Sequence, residues 1–200
     1  MGRTSDARER LLTAALDLIW TNSYGSVSVD DICARAGVKK GSFYHFFPSK
    51  ADLAVAAYEE HWQEKQPELD AIFSPQLPPL ERLRRWTAYI YESQKALCEK
   101  FGHVCGCPYA NVGSELATLD DQLRSKSEEL LGRGLRYLES AIAEAQRDGV
   151  VNVPDVRTAA LLLASTVMGL TLQAKVQNDP EVLRDLEPTV MRLLSATAKP

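Results

Sequence analysis

The sequence predicts an all-α protein of about nine helices, and three observations carry that reading. Apolar residues recur at helical spacing along most of the chain. No stretch alternates long enough to make a strand, and capping residues, prolines and glycines punctuate the chain at helix-length intervals. Neither an internal repeat nor a low-complexity tract interrupts the pattern.

Each element has a local reason. Leu11, Leu12, Ala15, Leu16, Leu18 and Ile19 form the apolar stripe of a first helix near 5–22, which the turn cluster Asn22–Ser26 ends. Ser28 and Asp31 make a capping box that opens a short helix over 29–35, and Gly37 supplies the left-handed residue that closes it. A third short helix runs from Lys39 or Lys40 to Phe46, and Pro48 stops it. Ser49 and Asp52 form a second capping box at the head of a long helix over 50–72. Pro75, Pro78 and Pro79 make a loop before an amphipathic helix over 79–101, and Gly102–Gly106 breaks the chain again. Pro108 suits the first position of a helix over 108–117, where its missing N–H costs nothing. Asp120 and Asp121 start a helix to about Asp148, closed by Gly149, and another follows over 155–177. Asn178-Asp179-Pro180 then starts a last helix over 180–196.

Composition narrows the class. Two hundred residues and 22.2 kDa allow one ordinary domain or two small ones. A content of 45% apolar and 25% charged residues is that of a soluble globular protein. No run of 18 apolar residues exists; the uncharged stretch Thr158–Ala174 holds Ser165, Thr166, Thr171 and Gln173 and falls short of a bilayer span, so no membrane partner is expected. The N-terminus has no apolar signal region, which predicts a cytoplasmic protein whose four cysteines are reduced. The net charge of −4 splits into +2 over residues 1–50 and −6 over residues 51–200. Chance explains such a split, and so does a basic nucleic-acid-binding module on an acidic body.

The helices over 29–35 and 39–46, joined by Ala36-Gly37-Val38 and packed on a third, have the helix-turn-helix plan, whose second helix enters the major groove. Lys39, Lys40, Gly41 and Ser42 lie at the start of that second helix, where unpaired N–H groups and the dipole favour phosphate. Tyr44 and His45 add donors, Lys50 adds a cation, and Phe43, Phe46 and Phe47 are expected to anchor the helix. An ordinary helical corner with a solvated basic edge fits the same residues.

The run from Tyr24 to Lys50, with Ala36-Gly37-Val38, Gly41, Tyr44, Phe47, Lys50 and Leu53, resembles the signature of the TetR family of transcriptional regulators. The resemblance implies a DNA-binding domain over 1–50, a regulatory and dimerisation domain over 51–200, and a homodimeric repressor of operator DNA. It also implies roles. Lys39, Lys40 and Ser42 would reach base edges, Tyr44, His45 and Lys50 would hold the backbone, and Ser28 is a further phosphate candidate. Cys33 stands where the family carries a small apolar residue, and reads as core.

The helix over 155–177 is apolar on nearly every face, which predicts burial all round and a face against a second subunit. A central core helix of a monomer is the other reading. The last helix is apolar on one stripe, and the resemblance implies that these two helices pair with their symmetry mates. A dimer would set two recognition helices about 34–36 Å apart, one DNA turn.

The segment Phe101-Gly-His-Val-Cys-Gly-Cys-Pro-Tyr-Ala-Asn111 concentrates the remaining chemistry. Cys107 just before Pro108 faces a helix N-terminus, which favours the thiolate, and Cys105, His103 and Cys98 lie nearby in sequence. A thiol sensor fits, and so does ordinary packing of a helix corner. A metal site of Cys98, His103, Cys105 and Cys107 is disfavoured by its spacing, and no oxyanion motif supports an enzyme. No metal or cofactor is expected. Gly106–Glu115 and Leu172-Gln-Ala-Lys175 resemble a subgroup of the family containing the N-ethylmaleimide reductase repressor and acrylate-responsive repressors. That likeness implies Cys107 as sensor of electrophiles or oxidants and Lys175 as its cationic partner, with Tyr109 nearby departing from the aliphatic pattern. Reversible binding of a small apolar inducer, among Trp86, Tyr89, Tyr91, Phe101, Tyr109 and Met168, is the alternative.

Overall fold

The computed structural model describes the backbone of residues 2–197 and the side chains of residues 6–195. Among the described residues the chain forms nine α-helices and one 3₁₀ turn, with no strand. They are α1 (Gly2–Thr21), α2 (Val29–Ala36), α3 (Lys40–Phe46), α4 (Lys50–Ile72) and α5 (Pro79–Phe101). After these come α6 (Pro108–Leu116), α7 (Asp121–Arg147), α8 (Val156–Gln177), the 3₁₀ turn Pro180–Leu183 and α9 (Leu186–Thr197).

The chain compacts into two units. One comprises residues 1–65 and 108–130, the other residues 66–107 and 131–200. The functional division expected after residue 50 does not coincide with this compaction. The helices α1, α2 and α3 alone expose too much of their apolar surface to close a core. The first turns of α4 therefore add Leu53, Ala54, Ala57 and Tyr58, while α6 and α7 add Val112, Leu116, Leu123 and Leu130, all buried.

In the first unit the local signals act as expected. Ser28 and Asp31 form the reciprocal capping box of α2. Gly37, at φ 63°, ends α2 in the left-handed region, and Arg10 of α1 donates to the carbonyl of Ala36 at 2.9 Å, taking one of the orphan acceptors there. Ser49 Oγ accepts from the backbone N–H of Asp52 at 3.1 Å and so caps α4. Asp120 caps α7 through the N–H of Leu123 at 3.0 Å.

The second unit has its own core, built on Leu83, Leu138, Ile142, Leu163 and Val190. Arg82, 2% exposed, grips Glu144 with both guanidinium nitrogens at 2.6 and 2.9 Å and donates Nε–H to the carbonyl of Leu77 at 2.8 Å. The α5–α7 pairing is thus closed by a bidentate ion pair. On α8, Ala159, Ala160, Leu163, Val167, Thr171 and Ala174 are buried, whereas Leu161, Leu162, Leu172 and Val176 stand exposed at 45, 40, 60 and 78%. A single chain thus buries one face of α8 and leaves an apolar face outside. By length and composition α8 would suffice to cross a membrane, but its inner face belongs to this core.

One boundary differs. The expected single helix over 180–196 is two elements, with Arg184 and Asp185 between them. Pro188 has no N–H to give the carbonyl of Arg184, so a continuous helix would lose that bond. Starting α9 at Leu186 places Pro188 in the first turn, where no donor is needed.

Candidate nucleic-acid interface and thiol segment

α3 divides by face. Phe43 and Phe47, 0 and 4% exposed, point into the core, and Phe46 is half-buried. Lys39, Lys40, Gly41, Ser42, Tyr44 and His45 are all exposed. Lys39 is the N-cap residue, with no side-chain capping bond. Lys40 pairs with Asp30 at 2.9 Å, and that carboxylate holds its ammonium above the ordinary range. Both partners are solvated, so a phosphate can take the place of Asp30 at little cost. Tyr44 sits edge-on to Phe43, which orients its ring while leaving it 52% exposed.

Two expected contacts are engaged within the chain. Ser28 Oγ donates to Asp31 at 2.6 Å and accepts from its N–H at 3.1 Å. Lys50 departs further from expectation. Its Nζ donates to the carbonyls of Tyr24 and Val27, both at 2.8 Å, and lies 3.9 Å from the centre of the Tyr24 ring. Burial pushes its ammonium below the ordinary range. The cation ties the turn before α2 to the start of α4. From the other side Glu115, on α6, accepts from the N–H groups of Tyr24 and Gly25 at 3.0 and 2.7 Å.

In the second unit the thiol segment is held by two side-chain amides. Gln94 of α5, 6% exposed, accepts from the N–H of Gly106 at 2.9 Å and donates to its carbonyl at 3.2 Å. Asn178, the left-handed C-cap of α8, accepts from the N–H of Val104 at 2.9 Å. That bond ties the segment to the last turn of α8, which carries the half-buried Lys175. All four cysteines carry thiols rather than disulfides. Cys107 is half-buried immediately before α6. Cys105, a sensor candidate by its place in the sequence, is 0% exposed, its thiol 3.7 Å from the carbonyl of His103. The half-buried His103 thus contributes its backbone to that contact. Among the described residues no three His, Cys, Asp or Glu side chains converge to hold a metal.

Three of the residues weighed as an inducer pocket have described partners. Trp86 packs on Phe73 at 6.5 Å and Tyr91 donates to Glu181 at 2.7 Å in the second unit. Tyr109 belongs to the first, in an aromatic cluster with Tyr58, His61 and Trp62. Burial, with Lys65 nearby, pushes His61 down to about 4, so its imidazole is neutral near pH 7.

Sequence reasoning missed Gln94, Asn178, Glu115 and His61. The signal for Gln94 was present: it is a polar residue four positions from both Ile90 and Cys98, on a stripe otherwise turned to the core.

A short helix presenting a basic and polar arc, seated on two others by buried aromatics and followed by helices alone, defines a helix-turn-helix DNA-binding regulator. Residues 11–57 match the model of bacterial regulatory proteins of the tetR family, and residues 79–190 match that of a tetracyclin repressor-like C-terminal domain. The chain belongs to the TetR family of transcriptional regulators. It is 32% identical to the transcriptional regulator AcuR of Cereibacter sphaeroides, over 93% of this chain and 84% of that one. It is 25% identical to the transcriptional repressor NemR of Escherichia coli, over 96% of each chain. A TetR regulatory protein from Rhodobacter sphaeroides superposes with a TM-score of 0.82 at 32% identity, over 94% of this chain and 98% of that one. The reduced form of E. coli NemR has the same fold, with a TM-score of 0.79 at 24% identity, over 94% and 96%.

Proposed function

We propose that this regulator is a homodimeric, cytoplasmic repressor that leaves its operator when Cys107 takes up a thiol-reactive electrophile or oxidant. The observation that carries this reading is the position of α6. Cys107 is bonded directly to Pro108, the first residue of α6, and Glu115 near the other end of α6 holds the turn that leads into α2. An adduct that shifts the residue before α6 therefore acts on an element already tied to the helix-turn-helix.

Lys39, Lys40, Gly41, Ser42, Tyr44 and His45 form the operator-facing set, supported by their shared exposure. Lys50 and Ser28 serve that face indirectly, by fixing the turn. The exposed stripe of Leu161, Leu162, Leu172 and Val176, with Gly169 among them, favours α8 as the dimer contact. An apolar face of that kind is costly in water and cheap against a second copy. The likeness to the electrophile-responsive subgroup supports Cys107 as sensor, with Lys175 on the turn joined to the same segment by Asn178.

The reaction needs no cofactor. The thiol loses its proton to solvent, and the thiolate forms an S–C bond at the β-carbon of an α,β-unsaturated carbonyl. The alkene π pair becomes an enolate, which takes a proton from water.

The test is operator binding on a sequence selected from random DNA, with and without an α,β-unsaturated carbonyl. Release by the native protein and none by Cys107→Ser supports the sensor. Equal release by both ends it. A second reading, reversible binding of an apolar inducer, is favoured by the aromatic cluster around Tyr109. Release that survives complete blocking of the thiols is its mark.

A further inference from the structure

Cys105 and Cys107 are two residues apart, yet they meet opposite surroundings: Cys105 is 0% exposed, while Cys107 reaches partly into solvent. No regular secondary structure imposes this difference, since residues 104–107 lie outside any helix. The residue between them is Gly106, at φ 77°, a left-handed conformation that glycine enters at no steric cost and leaves as easily. A glycine hinge between two thiols would let either one turn outward unless something held it.

What holds it is Gln94. Its carboxamide takes the N–H of Gly106 at 2.9 Å and gives a hydrogen to the carbonyl of Gly106 at 3.2 Å. Two bonds to one residue fix the peptide planes on both of its sides, and so the direction in which each flanking cysteine departs. The amide is itself buried, where unpaired polar groups are costly, so opening the clasp leaves four groups to be satisfied again.

We infer that Gln94 is a positioning residue that sets thiol selectivity: by clasping Gly106 it keeps Cys105 in the core and leaves Cys107 as the thiol that meets an electrophile. This rests on the reading of Cys107 as the reacting thiol. The addition is the one written above, an S–C bond formed at the expense of the alkene π bond, with the proton supplied by water. Gln94 takes no part in it and touches no reacting atom.

The experiment is timed labelling of the folded full-length protein with N-ethylmaleimide, resolved by peptide mass spectrometry at each cysteine. In the native protein Cys107 is expected to label about 100-fold faster than Cys105, whose reaction must await local opening. In Gln94→Leu the labelling of Cys105 is expected to rise about tenfold or more. Cys33, buried in the helix-turn-helix unit, is the internal control: it stays protected in a folded variant. Gln94→Glu keeps the acceptor for the Gly106 N–H and loses the donor, so its Cys105 labels at an intermediate rate. Unchanged protection of Cys105 in Gln94→Leu overturns the inference, as does a native Cys105 that labels as fast as Cys107.

If Gln94→Leu fails to fold, Cys33 and Cys105 rise together and the native protein decides the matter. In urea below the unfolding transition, Cys105 labelling less urea-dependent than that of Cys33 marks local release of the clasp and supports it. Identical urea dependence means that global unfolding alone exposes Cys105, and overturns it. Labelling confined to Cys107 without release from operator DNA supports the clasp while ending the sensor reading, so the two fail separately.

Discussion

Glu115 of α6 receives the backbone N–H of Gly25 at 2.7 Å, a link across 90 residues of sequence between the helix after the thiol segment and the turn before α2. A second bond, from Tyr24 at 3.0 Å, makes the carboxylate a two-point anchor. Gly25 itself is exposed and carries no side chain to pack. Glu115→Ala is expected to cost about 1–2 kcal/mol in urea denaturation, the scale of hydrogen bonds to a charged acceptor at a partly exposed site. The same variant should loosen the dependence of operator affinity on Cys107 modification. If electrophile releases Glu115→Ala as fully as the native protein, α6 transmits nothing through this bond.

The lysines near α3 separate by what they touch. Lys39→Ala removes an exposed cation without a capping bond, so its melting temperature stays put. The salt dependence of operator binding should flatten by about 0.9 in the logarithmic slope, the loss of one phosphate contact. Lys50→Met instead leaves two carbonyls without their donor and should lower stability by about 2 kcal/mol. Its operator affinity falls as a consequence. A salt slope reduced in Lys50→Met with unaltered stability would make Lys50 a direct phosphate contact.

His61 predicts a pH dependence. Its imidazole titrates ordinarily near 6.5 and in the fold near 4, because burial opposes the charged form. Between those values the unfolded chain binds the proton and the folded one does not, so stability rises with pH across the window. It is complete above pH 6.5 and is lost as pH falls toward 4, by at most about 3 kcal/mol. Urea titrations of the native protein and His61→Phe, run from pH 7 to pH 4, measure it. Equal slopes for the two would place the acid sensitivity elsewhere.

The Arg82–Glu144 pair makes a second, lower window. Arg82 holds the Glu144 carboxyl below its ordinary 4.5, so its contribution is present above that value and lost as pH falls further. Arg82→Met is expected to destabilise the second unit by about 3 kcal/mol, since it removes a buried cation with three hydrogen bonds. Below pH 4.5 the difference between native and variant should shrink. A difference that stays constant into acid would mean that packing around the Arg82 stem, rather than charge, carries the effect.

The α8 surface predicts an association. Leu172→Glu sets a charge in the middle of the exposed apolar stripe and should leave the chain folded. It is expected to convert a dimer to monomer in sedimentation and to weaken operator binding at nanomolar protein. Dimer retained in Leu172→Glu would move the interface to another face.

The chain by itself determined where most of its helices begin and end, because those signals act within about four residues. Ser28 reaches Asp31, Gly37 turns left-handed where α2 must stop, and Pro108 opens α6. The spacing of Phe43 and Phe47 against Lys40 and Tyr44 fixed which face of α3 turns outward. The family signature lies in that same local run. What only the tertiary structure decided are the pairings made over long separations. Lys50 is a cation in any reading of the sequence, but its carbonyl partners lie 26 and 23 residues back, so its role as a tie was not legible. Cys105 and Cys107 look alike in sequence, and only the fold makes one buried and the other half-buried. The break in the expected last helix was not read from the sequence, and it goes with Leu183, Leu186 and Val190 all reaching the core. Local conformational preference is a property of a few adjacent residues, whereas burial and hydrogen-bond partnership belong to pairs that folding brings together.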